Sequence, residues 1–303
     1  GAPDADYPPT LGAAGRAFCG ERPCPPGAWD EAGLWLGLET ALVPPQKART
    51  DTADPACLRA SDEQSWAYLR VAHFTSRPGH ADQLHLDLWW KGLNLAQDPG
   101  TYRYNAPPPW ENALTHTAVH NTLTINDLEQ MTRAGRFLYL DWAQSSMKPT
   151  FSEDGRLQSV ISSHNGYSRR LGLIHQREVI CEDWRWIILD EVKRTRSVAP
   201  VSARLHWLMP DLPWEMESAA KEVCMRLQTP RGWVSLIVRS PSGILQPLVV
   251  RAGERLAGSL PAQPTWGWTA PTYGTKIPAL SFSITLEAPA PLTLLSEWVL
   301  PVE

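Results

Sequence analysis

The sequence has no run of about 18 apolar residues, so no segment is long enough to form a transmembrane helix. It also has no basic block: 28 Lys and Arg stand against 32 Asp and Glu, a formal net charge of −4. Nucleic acids attract clustered basic side chains, so neither a nucleic acid nor a membrane is expected as a partner. The first nine residues lack the charged start and apolar centre of a signal peptide. Either the chain is cytosolic or its export signal lies outside this sequence.

Cysteine is scarce as well. The five cysteines show neither the CxxC spacing of zinc motifs nor the density of a disulfide framework. A disulfide between Cys19 and Cys24 is compatible with the sequence, and so are free or buried thiols. The cysteines therefore indicate no function and leave the redox compartment open.

The first sixty residues are punctuated by proline pairs, at positions 8–9, 25–26 and 44–45. Within them, helical spacing of apolar residues predicts a helix from Trp29 to Leu42, which Pro44 ends. We expect residues 1–64 to form an N-terminal arm with this one helix. The arm is interpreted either as a surface segment packed on the main body or as the remnant of a preceding helical domain.

From Ser65 onward, apolar residues recur with period two, which is typical of half-buried strands. Thirteen strands are predicted, near residues 66–75, 84–90, 119–125, 137–142, 157–162, 171–181, 184–192, 203–209, 223–228, 233–239, 245–251, 280–286 and 292–299. Two stacked antiparallel sheets bury this many strands better than one open sheet. The prediction is an all-β fold, a large antiparallel two-sheet β-sandwich over residues 65–303.

Three polar residues stand out near the start of this region. His80 precedes a predicted strand, Asp98 begins an Asp-Pro-Gly turn after it, and His120 opens another strand. Each residue by itself is explained by hydrogen bonding at a strand edge or by turn formation. Two imidazoles and a carboxylate are also a ligand set that suits zinc.

The strings around these residues resemble the C-terminal sandwich domain of the heparinase II/III-like family. The resemblance lies in Gly-His-Ala-Asp-Gln-Leu, Trp-Trp-Lys-Gly, Asp-Pro-Gly-Thr-Tyr and His-Asn-Thr-Leu, and it weakens toward the end of the chain. It implies a divalent metal, usually zinc, held by His80, Asp98 and His120 in a structural role. Asp82, Asn121 and Tyr102 are expected to support these ligands.

The resemblance also implies a polysaccharide lyase that cleaves uronic-acid-containing glycans by β-elimination, in the periplasm or outside the cell. In such lyases a helical toroid domain supplies most catalytic groups, so an acidic polysaccharide and a helical toroid domain or chain are the expected partners. Many relatives carry His-x-His-Ala-Asp, whereas this sequence has Pro78 in place of the first His. His73 and His116 are the candidates to replace that catalytic histidine.

The loop after Asp98 carries the candidate sugar-binding residues, namely Tyr102, Tyr104, Asn105 and Trp110, together with Arg77 from the preceding loop. Loop aromatics serve packing as often as binding. A second interpretation is therefore a non-catalytic carbohydrate-binding or scaffold sandwich, which Pro78 favours. Farther along, His175, Arg177 and Asp190 also match the family and are expected to serve packing.

Overall fold

The computed structural model describes residues 7–38, 56–153, 155–196 and 199–301. The chain divides into two compact units, residues 1–52 and 53–303. The sequence analysis placed this boundary at residue 64. Residues 56–64, assigned to the arm in that prediction, lie in the larger unit, where strand β1 (Ala56–Arg59) pairs antiparallel with β2 (Ser65–Leu69).

The smaller unit contains helix α1 (Pro8–Ala14), a π-helical turn (Gly15–Cys19), a 3₁₀ turn (Ala28–Asp30) and helix α2 (Glu31–Trp35). The helix expected from Trp29 to Leu42 is thus shorter than predicted. It ends early because Gly37 adopts φ +65°, the left-handed conformation that terminates many helices. The Gly37 N–H donates to the Leu34 carbonyl, and the Leu38 N–H donates to the Gly33 carbonyl. Residues 39–42 lie outside the described residues. None of the described helices is long and apolar enough to cross a membrane.

Among the described residues of the larger unit, the regular secondary structure is mainly β-strand, with two 3₁₀ turns, Ala113–Thr115 and Thr117–Val119, and one short α-helix, α3 (Ser168–Leu171). After β1 and β2, the strands are β3 (Leu86–Trp90), β4 (Leu93–Ala96), β5 (Leu123–Ile125), β6 (Thr132–Gly135), β7 (Leu138–Leu140), β8 (Ser145–Phe151), β9 (Leu157–His164), β10 (Leu173–Glu182), β11 (Arg185–Arg194), β12 (Pro200–Met209), β13 (Trp214–Ala219), β14 (Glu222–Thr229), β15 (Gly232–Arg239), β16 (Gln246–Arg251), β17 (Glu254–Ala257), β18 (Trp268–Thr272), β19 (Thr275–Pro278), β20 (Leu280–Pro289) and β21 (Leu292–Val299).

The strands form antiparallel sheets, and the three largest of them share one core. An eight-stranded sheet has the order β13-β14-β15-β21-β11-β10-β9-β8, and a five-stranded sheet has the order β17-β16-β20-β12-β5. Trp207 of β12 and Trp298 of β21 are fully buried, and their rings meet edge to face at 5.7 Å, so the two sheets pack face to face. A four-stranded sheet, β1-β2-β3-β4, adds its apolar side chains to the same core. The all-β sandwich with a short N-terminal helical segment is confirmed.

All thirteen predicted strand windows contain a strand, but the sequence analysis missed others. Most of these are only four residues long or lie at an edge, such as β8 and β13, whose side chains are largely exposed. Edge strands bury too few side chains to show a clear period of two. All five cysteines are free, so the Cys19–Cys24 disulfide is not formed.

Candidate metal centre

Three chain segments bring the predicted ligands together. His80 lies on the loop between β2 and β3, Asp98 follows β4, and His120 follows a 3₁₀ turn (Thr117–Val119). The Nδ1 atom of His80 is 3.2 Å from Nε2 of His120, and Oδ2 of Asp98 is 3.7 Å from that same Nε2. Residues up to forty positions apart in sequence thus converge on one atom of His120.

The protonation of His120 suits metal binding. Its Nδ1 lies 2.8 Å from the carbonyl oxygen of His116, which can only accept, so Nδ1 carries the proton. Its Nε2 therefore presents a lone pair toward His80 and Asp98. A histidine that donates one ring N–H to a backbone carbonyl and aims the other nitrogen at the centre is the usual arrangement of a metal ligand.

The distances between the candidate ligand atoms are close to those of a tetrahedral zinc site. Two atoms each about 2.05 Å from such an ion are about 3.3 Å apart. The 3.2 Å separation of the two histidine nitrogens matches this value, and the 3.7 Å separation of Asp98 from His120 exceeds it slightly. The residues present fit a divalent metal bound by nitrogen and oxygen.

Asp82 is a second carboxylate at the centre. One of its oxygens and one ring nitrogen each of His80 and His120 lie within 4.8 Å of one another. Asp82 is also paired with Arg70, whose Nε is 3.1 Å from its carboxylate. Because Arg70 already neutralises Asp82, Asp98 is the carboxylate with more freedom to serve as a ligand.

His85 also belongs to the centre, although the sequence analysis did not single it out. Its Nδ1 accepts the backbone N–H of Asn121 at 2.9 Å, so the proton of the neutral ring is on Nε2, which lies 3.5 Å from Oδ2 of Asp98. Burial lowers the pKa of His85 to about 4, which keeps the ring neutral near pH 7. His85 therefore faces Asp98 with a protonated Nε2, and this nitrogen is not available as a ligand.

Asp98 is held as a carboxylate. Burial alone would raise the pKa of its carboxyl group, but His120, His85, His80 and the Gly100 N–H together lower it below its ordinary value. The Gly100 N–H bonds Oδ1 at 2.7 Å, in the turn that the sequence predicted. Oδ1 is thereby fixed, and Oδ2 faces the two histidines.

The loops that carry the ligands are anchored by buried polar side chains. The side-chain amide of Asn121 donates to the carbonyls of Leu86 and Gln97, and its oxygen accepts the N–H of Leu208. Arg177, fully buried on β10, donates from Nη1 to the carbonyls of Leu84 and Asn121, both at 2.6 Å. These contacts tie the residues next to His85 and His120 to the sandwich.

Residues 52–293 match the family described as Heparinase II/III-like, C-terminal. The chain belongs to the heparinase II/III-like family. No curated protein matches it.

Solved structures of heparinases have the same fold as this family member. A heparinase III, the BT4657 gene product with methylated lysines, superposes with a TM-score of 0.63 at 18% identity, covering 89% of this chain and 38% of that chain. A mutant of the heparan sulfate lyase HepC from Pedobacter heparinus gives a TM-score of 0.63 at 15% identity, covering 97% of this chain and 41% of that chain. The chain thus spans about two fifths of the length of these structures.

In this heparinase-like domain, His116 lies between groups of opposite charge. Its Nδ1 is 2.9 Å from Oε1 of Glu129, and its Nε2 is 3.1 Å from Nη1 of Arg133. Because the arginine can only donate, Nε2 accepts and the ring proton is on Nδ1, facing the carboxylate. His73, the other candidate, is exposed on the loop between β2 and β3, and the structure joins it to none of these groups.

The candidate sugar-binding residues mostly contact one another and the β18–β19 hairpin. Trp110 meets Tyr102 edge to face at 5.6 Å and Trp268 at 5.7 Å, and Nζ of Lys276 lies 4.2 Å from the Trp110 ring centre. Tyr104, which is exposed, packs against Tyr273 at 5.1 Å.

The two remaining candidates are polar. Asn105 accepts a hydrogen bond from Arg136, and Arg77 is exposed. The aromatic residues of this loop are therefore partly used in packing, and Tyr104, Asn105 and Arg77 are the more open of the five candidates.

Proposed function

We propose that this chain is the β-sandwich part of a polysaccharide lyase that cleaves uronic-acid-containing glycans by β-elimination and needs a helical toroid domain or chain to complete its site. The observation that carries the proposal is the convergence of His80, Asp98 and His120 in a member of this family, with the His120 ring also bonded to the His116 carbonyl. The heparan sulfate lyase activity named for HepC extends the argument to an acidic glycan.

The proposed metal is zinc, held by His80, Asp98 and His120. When bound, it would join three separate chain segments, so its role would be to brace the cleft rather than to react. The site offers two histidine nitrogens and one oriented carboxylate, which suits zinc better than calcium or magnesium, whose sites are built from oxygen ligands.

β-Elimination requires three tasks: neutralising the uronate carboxylate, removing the proton from C5, and protonating the leaving oxygen. In this proposal Arg133 and His116 share the first two. Arg133 Nη1, now bonded to Nε2 of His116 at 3.1 Å, would turn to the uronate carboxylate. The carboxyl carbon is bonded to C5, so this exchange would free Nε2 to take the C5 proton. Glu129, bonded to Nδ1, would stabilise the imidazolium that forms. Protonation of the leaving oxygen is assigned to the toroid.

The first experiment measures metal content by elemental analysis after dialysis without chelator, in the parent chain and in the His120→Ala variant. We expect about one zinc per chain in the parent and none in the variant. A Thr269→Ala variant, which removes a hydrogen bond to the Asp98 backbone without removing a ligand, is the control and should keep its metal. No metal in the parent chain would refute the metal proposal.

The second experiment measures the ultraviolet absorbance of the unsaturated uronate product from heparan sulfate and other uronate polysaccharides, with a helical toroid supplied. His116→Gln should abolish turnover and leave metal content unchanged.

The second candidate function is a non-catalytic carbohydrate-binding sandwich, favoured because Pro78 replaces a catalytic histidine and because Arg133 occupies the Nε2 lone pair of His116. Glycan binding without product, in the presence of the toroid, would support this second function and refute the first.

A further inference from the structure

A cavity of about 580 Å³ lies on the face of the five-stranded sheet that points away from the core. Its floor is one row of polar side chains across four neighbouring strands. In the strand register, Arg204 on β12 lies opposite Thr124 on β5 and opposite Thr285 on β20. Thr285 in turn lies opposite Gln246 on β16. Side chains directly opposite one another in antiparallel strands lie on the same face, so these four form a continuous hydrogen-bonding surface.

The guanidinium group of Arg204 is only partly satisfied. The residue is 6% exposed, its Nη1 donates to the Ala118 carbonyl at 2.8 Å, and its Cζ lies 3.9 Å from the centre of the Trp266 ring. Within the described part of the chain, its Nε and Nη2 atoms have no hydrogen-bond partner, and neither does Oγ1 of the neighbouring Thr124. Leaving buried donors unpaired costs free energy, which a ligand that accepts from them would recover.

The charge on Arg204 is also uncompensated. Among the described residues, no carboxylate lies within ion-pair distance of its nitrogens. Asp127 attracts it from a distance, yet burial still lowers the pKa of Arg204 to about 9. The other carboxylates of the cavity are Glu287, exposed at the rim, and Glu129, which is bonded to His116 and to the Thr117 N–H. The floor of the cavity thus carries one unpaired positive charge.

We propose that this cavity binds one acidic monosaccharide unit, whose carboxylate accepts from Arg204 and Thr124 and whose hydroxyl groups bond Thr285 and Gln246. The volume lies in the usual range of about 300–1,000 Å³ for small-molecule sites. Trp266 supplies an aromatic surface, and His116 also lines the cavity, so the bound unit would lie in the same cavity as the proposed base. The choice of an acidic sugar rests on the proposed function, but the binding itself requires no turnover.

The test is a calorimetric and NMR titration of the whole chain with D-glucuronate, D-glucose and inorganic sulfate. We expect glucuronate to bind at least about tenfold more tightly than glucose, because a hydrogen bond to a charged group is at stake. Arg204→Gln should weaken glucuronate binding by at least about tenfold, and Thr124→Val by about threefold. Arg226→Gln, on the exposed surface of the eight-stranded sheet, is the matched control and should bind like the parent.

Several results would overturn the proposal. These are the absence of glucuronate binding, equal binding of glucose, or unchanged binding in both cavity variants. Sulfate binding as tight as that of glucuronate, and equally dependent on Arg204, would overturn the sugar assignment and leave a simple oxyanion site. If Arg204→Gln fails to fold, which circular dichroism would show, Thr124→Val decides. A failed lyase assay with intact glucuronate binding counts against the lyase alone, and absent binding in an active lyase counts against this cavity alone.

Discussion

Replacing Arg177 with Met should destabilise the sandwich and loosen the metal centre together. Arg177 is fully buried; its Nε and Nη2 donate to the two oxygens of Asp190 at 2.8 and 2.9 Å, and its Nη1 donates to two loop carbonyls. Removing one partner of a buried ion pair leaves the other charge uncompensated, at a cost of about 3–5 kcal/mol. For a domain of this size that corresponds to a decrease in Tm of roughly 6–20 °C.

The second effect follows from the Nη1 contacts. The Leu84 carbonyl lies one residue before His85, and the Asn121 carbonyl lies one residue after His120. Losing their common donor should let the two loops separate and weaken zinc binding by about 10–100-fold, the usual effect of removing a group that supports a metal ligand. The assays are urea unfolding followed by tryptophan fluorescence, and zinc titration against a competing chelator.

A double variant distinguishes the cost of the unpaired buried charge from the loss of the contacts that Arg177 makes. In the Arg177→Met/Asp190→Asn double variant the buried carboxylate is gone, while His175 can still donate to the side-chain oxygen at position 190. The double variant should therefore be about 1–3 kcal/mol more stable than Arg177→Met alone, yet its zinc affinity should stay low. Arg226→Met, at an exposed ion pair, should cost less than about 1 kcal/mol. The reasoning is refuted if Arg177→Met has the same urea midpoint of unfolding as the parent chain, or if the double variant regains full zinc affinity.

Two further outcomes are expected. Gly100→Ala should weaken zinc binding and lower stability more than Gly92→Ala. Both glycines have positive φ, but only at Gly100 would a Cβ overlap the Ala270 carbonyl. Equal urea midpoints of the two variants would contradict this. The unfolding free energy should fall below about pH 6.5, by about 1.4 kcal/mol per pH unit for each of His164 and His175. Burial lowers the pKa of both, so the unfolded chain takes up protons that the folded chain does not. Urea unfolding at pH 7, 6 and 5 tests this, and a flat profile would contradict it.

Local sequence patterns predicted most strands but not how the strands pair. The period of two in residues 280–286 and 292–299 marks strands β20 and β21, yet β20 pairs with β12 and β16, and β21 with β11 and β15. Such partners lie many residues away, and nothing within a strand states which distant strand will lie beside it. The four-residue strand β4 was missed because it is too short to show a period.

The site was predicted in a similar, partial way. The family resemblance pointed to His80, Asp98 and His120, which the structure brings together, and their role as zinc ligands stays a prediction. His85 was missed because it sits among alternating strand residues, where an outward polar residue is expected. Arg204 was missed because it also alternates with apolar strand residues. Its environment depends on Trp266, which is more than sixty residues away in sequence and whose ring centre lies 3.9 Å from Cζ of Arg204. Long-range contacts, not local composition, give these two residues their environments.

The buried polar groups of β10 and β11 show how the sandwich and the site depend on each other. Apolar residues of similar size at His175, Arg177 and Asp190 would fill the same space and, in general, give equal or greater stability. They would offer no donors to the Leu84 and Asn121 carbonyls, which belong to irregular loops and need partners once buried. Arg177 satisfies both carbonyls with one Nη1 atom and thereby fixes the separation of two loops that carry His85 and His120. The ion pair with Asp190 keeps a charged side chain at that depth. These residues, which were expected to serve packing rather than chemistry, therefore also connect the core to the loops that carry the candidate metal ligands.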